Sequence, residues 1–418
     1  MEQSLNSTPR SRVIGLDTHP DTFTSAVVKG DIPRTAVVEK IFNRIPMGQL
    51  QSWAQKHTLP SDIIALEASG NSFFVVRSLQ AVGRKAIVLE SRHLGKLKEA
   101  HANNDKISAV RIAKAFLAGT AKEVWVPDPK TQERRDWFLA FKKVVKRTTQ
   151  INNRLESYLS DHGIREFPVE KLQEEQTQKE LKAKKDWSAR QWQVIGGLIM
   201  EMGHAEQQRA HWQSLMSQEV MEDPILLSLM RICGIRDTIA FAIGAIIGDI
   251  SRFASPKKLV NYLGLCPSFN DSGEGEWTGG VRGHGRRDLK SLLMQGAQAV
   301  IKTKTPMGKW GQKLFRRKNQ WNLAVVAVAR KMAVAIWYLL HGKWAEVKEI
   351  DVKLEGKITK LLGHVGPAGF KALNKPRLQV RKEVKERLKS GRTYHLNPNK
   401  KMPLAKPAPG TEPALQGA

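Results

Sequence analysis

The sequence predicts an α/β domain at its N-terminal end and a largely helical remainder. Between residues 13 and 126, short apolar runs of strand length alternate with segments of helical periodicity. Pro127, Asp128 and Pro129 then interrupt the pattern, and beyond them the apolar spacing becomes one of three and four residues, which is typical of helices. The chain has 418 residues, enough for two or three domains that each bury a core.

The predicted strands of the first domain end in acidic residues. The stretch 13–19 and the apolar run 25–28 predict a hairpin with Asp17 at the end of its first strand, and the run 63–67 ends in Glu67. A buried strand seldom carries an unpaired acid, so we expect the Asp17 carboxylate to be accessible at the tip of its strand. A simple turn-initiating role for Asp17 is the alternative.

The rest of this domain follows the same alternation. Helical spacing covers 73–82 and 101–118, and the second of these helices holds Asp105. Short apolar runs at 85–89 and 123–126 predict two further strands, so the domain should contain a mixed sheet.

A heptad seam follows the break at Pro129. It predicts a coiled coil or a long helical hairpin whose seam consists of Trp137, Phe141, Val144, Thr148, Ile151, Leu155 and Tyr158. A polar turn is expected at 174–185 and a second helix at 187–220. This segment is interpreted as a spacer or dimerisation element.

The third part of the chain carries two features suited to nucleic acid. Helices at 226–230 and 238–247 flank a tight turn and resemble a helix-hairpin-helix, whose backbone amides can hold a phosphate. A segment rich in Gly and Arg covers 279–287, and an amphipathic helix follows it. Glycines allow close approach and guanidinium groups bind phosphate oxygens, so the predicted nucleic-acid contacts are Arg282, His284, Arg286, Arg287 and Lys290. Ser272 lies shortly before this segment, and its local sequence favours a turn residue.

The charge supports a polyanionic partner. The formal net charge is +28 and the isoelectric point about 10.1, with basic residues along the whole length, so nucleic acid is the simplest partner. Two cysteines exclude a disulfide framework or a cysteine metal cage, and fit a reducing, cytoplasmic location. No signal peptide is predicted, and the apolar stretch 323–340 contains Arg330 and Lys331, so we expect a buried helix there and not a membrane span.

Several ordered motifs together resemble those of the IS110/IS1111-type transposases over roughly residues 13–340. The matching segments are GLD at 15–17, LEASG at 66–70, NDKISA at 104–109, GDISRF at 248–253, YLGL at 262–265 and SG at 272–273. The resemblance implies a RuvC-like (RNase H-like) α/β domain at 1–126, an α-helical coiled-coil linker at 127–222 and a mainly α transposase domain at 223–345. The composition beyond it, dense in Lys and Arg at 371–401 and rich in Pro and Ala at the end, predicts a basic, partly disordered tail at 346–418.

The resemblance also implies the chemistry. In this family four acids hold a divalent metal, and the first three map to Asp17, Glu67 and Asp105, with Mg²⁺ the expected ion. The family serine maps to Ser272, the nucleophile that forms a covalent link to DNA. The implied partners are element-end and target DNA and an element-encoded guide RNA. A homodimer or homotetramer associated with the nucleoid is expected.

One position departs from the family pattern. The fourth acid should lie three residues after Asp105, where this chain has Ser108, and a neutral hydroxyl is a poor ligand for a hard cation. Three functional hypotheses follow. The first is a recombinase that cuts and rejoins DNA through Ser272. The second is a RuvC-like structure-specific nuclease that uses metal-activated water, and the third is a catalytically decayed copy that only binds nucleic acid.

Overall fold

The chain divides into two compact units, a first unit at 1–128 and a second unit at 129–418. The computed structural model describes residues 12–91, 104–267, 269–272, 275–278, 281, 285–342 and 351–389.

A six-stranded sheet forms the centre of the first unit. Its strands are β1 (Arg12–Thr18), β2 (Thr22–Lys29), β3 (Val37–Pro46), β4 (Ile63–Glu67), β5 (Lys85–Leu89) and β6 (Glu123–Val124). Their spatial order is β3-β2-β1-β4-β5-β6. β4 is parallel to both β1 and β5, whereas the β1–β2, β2–β3 and β5–β6 pairs are antiparallel. The predicted mixed sheet and its opening hairpin are confirmed, but β3 was not predicted.

Helices cover both faces of this sheet. They are α1 (Leu50–His57), α2 (Ser72–Ala81) and α3 (Asp105–Leu117). Ile14, Leu16 and Leu66 pack with α1 and α2 on one face. On the other face Ala65 packs with Ile112 of α3. Because side chains alternate along a strand, residues 15, 17 and 67 belong to the face covered by α3.

The second unit begins with two long helices joined by a short one. They are α4 (Pro129–Asp161), α5 (Glu175–Ala183) and α6 (Ala189–Glu222). Arg134 of α4 binds Glu219 of α6, and Arg147 of α4 lies 3.3 Å from Glu201 of α6, so α4 and α6 run antiparallel.

Only some residues of the predicted heptad seam are buried in the structure. Of its residues, Phe141, Val144, Ile151 and Leu155 are buried, while Phe138 and Leu159 are buried in place of their neighbours Trp137 and Tyr158. The expected polar turn at 174–185 contains α5. Its Leu181 packs with Leu172 and with Ile195 and Leu198 of α6, which explains why this charged stretch is ordered as a helix.

The remaining helices of the second unit share one core. They are α7 (Pro224–Leu229), α8 (Asp237–Ile247), α9 (Pro256–Tyr262), α10 (Arg287–Ile301), α11 (Pro306–Lys318), α12 (Trp321–Leu340), α13 (Asp351–Ala372, broken at Gly366) and α14 (Arg377–Lys389). Strands β7 (Phe269–Ser272) and β8 (Gly275–Thr278) form a separate hairpin.

Helix α12 is long and apolar enough to cross a membrane by length and composition. Ten of its residues, including Val328, Met332 and Ile336, are nevertheless buried in the core of the second unit. Within that unit α12 is therefore a core helix, as the sequence predicts.

The prediction of a polar tail after residue 346 needs correction, because residues 351–389 are mostly helical. They form α13 and α14, and apolar residues of both helices, including Ile358, Leu361 and Val384, belong to the same core. The dense Lys and Arg residues conceal this helical periodicity in the sequence. Residues 390–401, the rest of the basic run, lie outside the described residues.

Candidate active site

Two of the predicted metal ligands end neighbouring parallel strands of the first unit. Leu16 of β1 is paired with Leu66 of β4, so the next residues, Asp17 and Glu67, follow at the same edge of the sheet. Both belong to the face covered by α3. The sheet register therefore explains why two acids that are 50 positions apart in sequence lie close together.

A glycine allows α3 to approach this face. A Cβ atom built on Gly15 would lie 1.9 Å from the carbonyl oxygen of Ala109 and 2.8 Å from the amide nitrogen of Ala113. The start of α3 is fixed by Asn104, whose side chain accepts a hydrogen bond from the Ile107 amide at 2.9 Å. Asp105 is the first residue of the helix, one turn before Ala109. Close packing at Gly15 thus brings Asp105 towards the end of β1.

The structure places a histidine beside the predicted acids. Ligand atoms of Asp17, His19 and Asp105 all lie within 4.8 Å of one another. The Nε2 atom of His19 is 3.5 Å from Oδ1 of Asp105, and Nε of Arg44 is 4.0 Å from Oδ2 of the same carboxylate. His19 was not predicted. Its position two residues after Asp17, at the end of a strand, is the signal that could have suggested it.

The electrostatics of Asp17 indicate crowded negative charge. Burial raises the pKa of the Asp17 carboxyl, and the charges of Asp105 and Glu67 raise it further, while His19 and a hydrogen bond from Ser108 oppose the rise. Glu67 is therefore close enough to act on Asp17, although it is not part of the three-residue group within 4.8 Å.

Ser108 reaches the site as a hydrogen-bond donor. Its hydroxyl donates to the carboxylate of Asp17 from the first turn of α3, at the position where the resemblance led us to expect a fourth acid. A serine at this point holds Asp17 in place and lowers the carboxyl pKa. It adds no negative charge, so the described site contains three acids and one imidazole.

The loops after β1 and β4 are connected by polar side chains. Thr18 donates to Oδ1 of Asn71 at 3.3 Å, and Ser69 donates to the same oxygen at 2.9 Å. The Nδ2 atom of Asn71 donates to the backbone oxygen of His19 at 2.9 Å. These bonds fix the backbone that carries the imidazole.

The donor set fits a divalent cation. Carboxylate oxygens suit Mg²⁺ and Mn²⁺, and an imidazole suits Mn²⁺ and later transition metals. The raised pKa of Asp17 has the same physical origin, since a cation would compensate the crowded carboxylates that burial and mutual repulsion disfavour.

The second unit carries the predicted serine. Ser272 ends β7, and its backbone is paired with Gly275 at the closed end of the β7–β8 hairpin.

The predicted nucleic-acid contacts lie around the start of α10. Arg282 and His284 lie outside the described residues. Arg286 precedes α10, and its Nη2 atom is 3.0 Å from Oδ2 of Asp288. Arg287 is exposed. The pKa of Lys290 is lowered by its own partial burial and by the positive charge of Arg287. Of the three described residues, Arg287 is the most accessible to a ligand.

The phosphate site expected at the helix-hairpin-helix stays a prediction, and one observation weighs against it. The α7–turn–α8 geometry is present, but the Asp237 carboxylate itself occupies the start of α8 and accepts hydrogen bonds from the Thr238 amide and from Ser217 at 2.7 Å. A carboxylate thus already accepts from one of the amides that a phosphate would use at the start of α8, which leaves the side chains around the turn as the more accessible phosphate donors.

Comparison with known proteins identifies the class. Residues 227–310 match the family model "Transposase IS116/IS110/IS902 family". The chain is 25% identical to the transposase for insertion sequence element IS1111A of Coxiella burnetii over 285 residues, which cover 66% of this chain and 77% of that protein. It is 23% identical to a probable family 20 transposase of Pseudomonas aeruginosa, over 68% of this chain and 85% of the relative. A putative transposase y4qE of Sinorhizobium fredii is 22% identical over 55% of this chain and 56% of its own length.

The chain is therefore a transposase, an enzyme of the class that cuts and rejoins DNA. The matched segment spans α7 to the start of α11 and includes Ser272 and the Gly/Arg segment. The family model and the first of these relatives are both transposases of the IS110 type, and these are the proteins that the chain is similar to.

Proposed function

We propose that this transposase cuts DNA through Ser272 and rejoins it through a covalent protein–DNA intermediate. The Ser272 oxygen attacks a phosphodiester phosphorus, a bond to one deoxyribose oxygen breaks, and the leaving oxygen takes up a proton. A deoxyribose hydroxyl of a second strand then attacks the phosphoserine and releases the serine. The number of phosphoester bonds is unchanged, so no ATP is needed.

The first unit supplies the proposed metal site. Asp17, His19 and Asp105 are the proposed ligands, with Glu67 as the neighbouring acid, and their grouping within 4.8 Å is the observation that carries this proposal. A bound Mg²⁺ or Mn²⁺ would stabilise negative charge on the phosphate oxygens. Ser108 and Asn71 position Asp17 and the His19 backbone. The strand order, with two parallel neighbours beside an antiparallel meander, supports a RuvC-like domain at 1–126.

The remaining proposals concern assembly and partners. We propose that 127–222 is a coiled-coil linker that brings two or four copies together, since α4 and α6 form a long antiparallel pair. The transposase domain covers 223–345. Arg282, His284, Arg286, Arg287 and Lys290 are proposed to bind element-end and target DNA, with an element-encoded RNA as guide. The net charge of +28 supports polyanionic partners and a nucleoid location.

A covalent-trapping assay tests the nucleophile. The full chain, element-end DNA and co-purified RNA are incubated with Mg²⁺ and separated on a denaturing gel. We expect a protein–DNA adduct with the wild type and with the exposed control Ser160→Ala, and none with Ser272→Ala. Loss of the adduct in Asp17→Ala would connect the acidic site to the same step.

The structure also gives a reason to retain the nuclease as a second candidate. Asp17, His19 and Asp105 would hold the metal, and when bound it would supply an activated water for hydrolysis that needs no serine. Free cleaved DNA that persists in Ser272→Ala would favour this hydrolytic reaction. If the wild type cuts nothing and Ser108→Asp restores cleavage, the chain is a decayed copy.

A further inference from the structure

The second unit contains a large cavity that the proposed chemistry does not use. Its volume is about 1030 Å³, and its walls come from α4, α6, α8, α10 and α13. This lies at the upper end of the usual volume of a pocket for one small ligand, about 300–1,000 Å³. The cavity therefore has room for an occupant larger than a mononucleotide.

Basic side chains from separate elements surround the cavity. Lys146 lies on α4, Arg236 precedes α8, and Lys353 and Lys360 lie on α13. None of these four has an ion pair with a carboxylate in the described part of the chain. By contrast, Arg209 at the same cavity is paired with Glu206 at 2.8 Å.

The acids at the cavity are already neutralised. Asp237 is 1% exposed, and although burial alone would raise its pKa, hydrogen bonds from His364 and Ser217 hold the pKa below the ordinary value. Asp288 is paired with Arg286. Hence the unpaired cations determine the sign of the potential, and an anionic occupant is favoured.

His364 supplies a directional donor at the cavity wall. Its Nδ1 atom is 2.5 Å from Oδ2 of Asp237, which fixes the orientation of the ring. The side chain is 39% exposed. The other ring nitrogen, Nε2, can serve as a donor to a phosphate oxygen.

Apolar surface lies between these polar groups. Leu292, Ile239 and Val145 line the cavity, and Val145 is 38% exposed. A cationic groove with apolar patches suits single-stranded nucleic acid, whose backbone contacts the cations while the bases contact the apolar wall. A duplex hides its base faces and gains less from such a wall.

We propose that this cavity binds a short single-stranded segment of nucleic acid, in addition to the contacts proposed around the start of α10. The phosphates contact Lys146, Arg236, Lys360 and His364. This inference does not depend on Ser272 as nucleophile, because it concerns binding alone.

A binding experiment with charge-matched variants tests the proposal. Fluorescence anisotropy of labelled 8-nucleotide oligo-dT and oligo-U is measured in EDTA with the full chain carrying Ser272→Ala, so no cleavage can contribute. One variant adds Lys146→Gln, Arg236→Gln and Lys360→Gln. The control adds Lys143→Gln, Arg190→Gln and Lys371→Gln, which are exposed, lie outside the cavity and remove the same charge.

We expect the cavity variant to bind at least tenfold more weakly than the control. Its log–log salt slope should fall by about two, since each single-strand phosphate contact contributes about 0.7. Stronger binding of oligo-dT identifies DNA as the preferred occupant, and stronger binding of oligo-U identifies RNA. Either result supports the proposal. Equal affinities of the two variants, or equal loss for a duplex of the same length, would overturn it.

Cross-linking gives a second readout that does not rely on substitutions. Oligonucleotides with a photoreactive thymine or uracil are irradiated with the chain, and the modified peptides are identified. Cross-links should fall on Val145, Ile239 or Leu292, and His364→Gln should reduce their yield. Cross-links confined to residues outside the cavity would contradict the proposed site.

Discussion

Gly15→Ala tests the packing that assembles the candidate metal site. The new Cβ would meet the Ala109 carbonyl oxygen at 1.9 Å, and this neighbour is backbone, so no side chain can rotate away. Restoring a separation of 3.0 Å from 1.9 Å requires a relative movement of 1.1 Å between β1 and α3. Overpacking of this kind costs about 1–3 kcal/mol of unfolding free energy.

The same movement would displace the ligands. Asp105 and Ser108 lie on α3, whereas Asp17 and His19 lie on or beside β1. Metal–ligand distances tolerate deviations of only about 0.2 Å, so a 1.1 Å shift should lower Mn²⁺ affinity at least tenfold.

The assay is Mn²⁺ binding to the full chain by electron paramagnetic resonance, combined with hydrogen exchange of peptides from β1 and α3. Gly48→Ala is the matched control, because its Cβ would meet nothing within 4 Å. We expect faster exchange and weaker binding only in Gly15→Ala. Wild-type affinity and exchange in that variant would refute the packing argument.

Three further predictions use other contacts. His19→Ala should weaken Mn²⁺ binding about tenfold, measured by calorimetry, and unchanged affinity would exclude His19 as a ligand. Ser108→Asp should strengthen Mn²⁺ binding, because a fourth carboxylate joins the site; weaker binding would contradict this. Arg134→Met should destabilise the second unit by about 2–3 kcal/mol at pH 7, since Arg134 binds Asp223 and Glu219. Although burial opposes the charge, Arg134 lowers the Asp223 pKa below its ordinary value of 3.8, so this contribution is complete above about pH 4 and is lost as pH falls through the folded-state pKa. The difference between wild type and variant in chemical denaturation should therefore shrink in acid.

The sequence predicts an element well where its apolar pattern is strong. Strands β1 and β4 are apolar runs with an acid at or next to their ends. The sequence therefore shows both where each strand lies and where its accessible end begins. Strand β3 is mostly exposed and its alternating residues include Glu39, Lys40 and Arg44, so it has no clear apolar face to recognise.

The candidate site was predictable only in part. Asp17, Glu67 and Asp105 follow from strand ends and from the family motifs, and Asp17 and Asp105 do lie together. His19 was missed because a single histidine in a loop has no periodicity, and its proximity to Asp105 arises from the packing of α3 over Gly15. The spacing of two residues from Asp17 could have suggested that His19 lies near it, but the contact with Asp105 depends on tertiary packing and leaves no local pattern in the sequence.

The shared core of the second unit has a consequence for dissecting the protein. The segment that matches the family model, 227–310, contributes only some of that core, and Val220, Met332, Ile336, Ile358 and Leu361 from outside the segment complete it. Excised alone, 227–310 would expose the apolar faces of α8 and α10 to water. The region recognised by sequence comparison is thus smaller than the region that must fold together, and a soluble fragment should extend from α4 through α14.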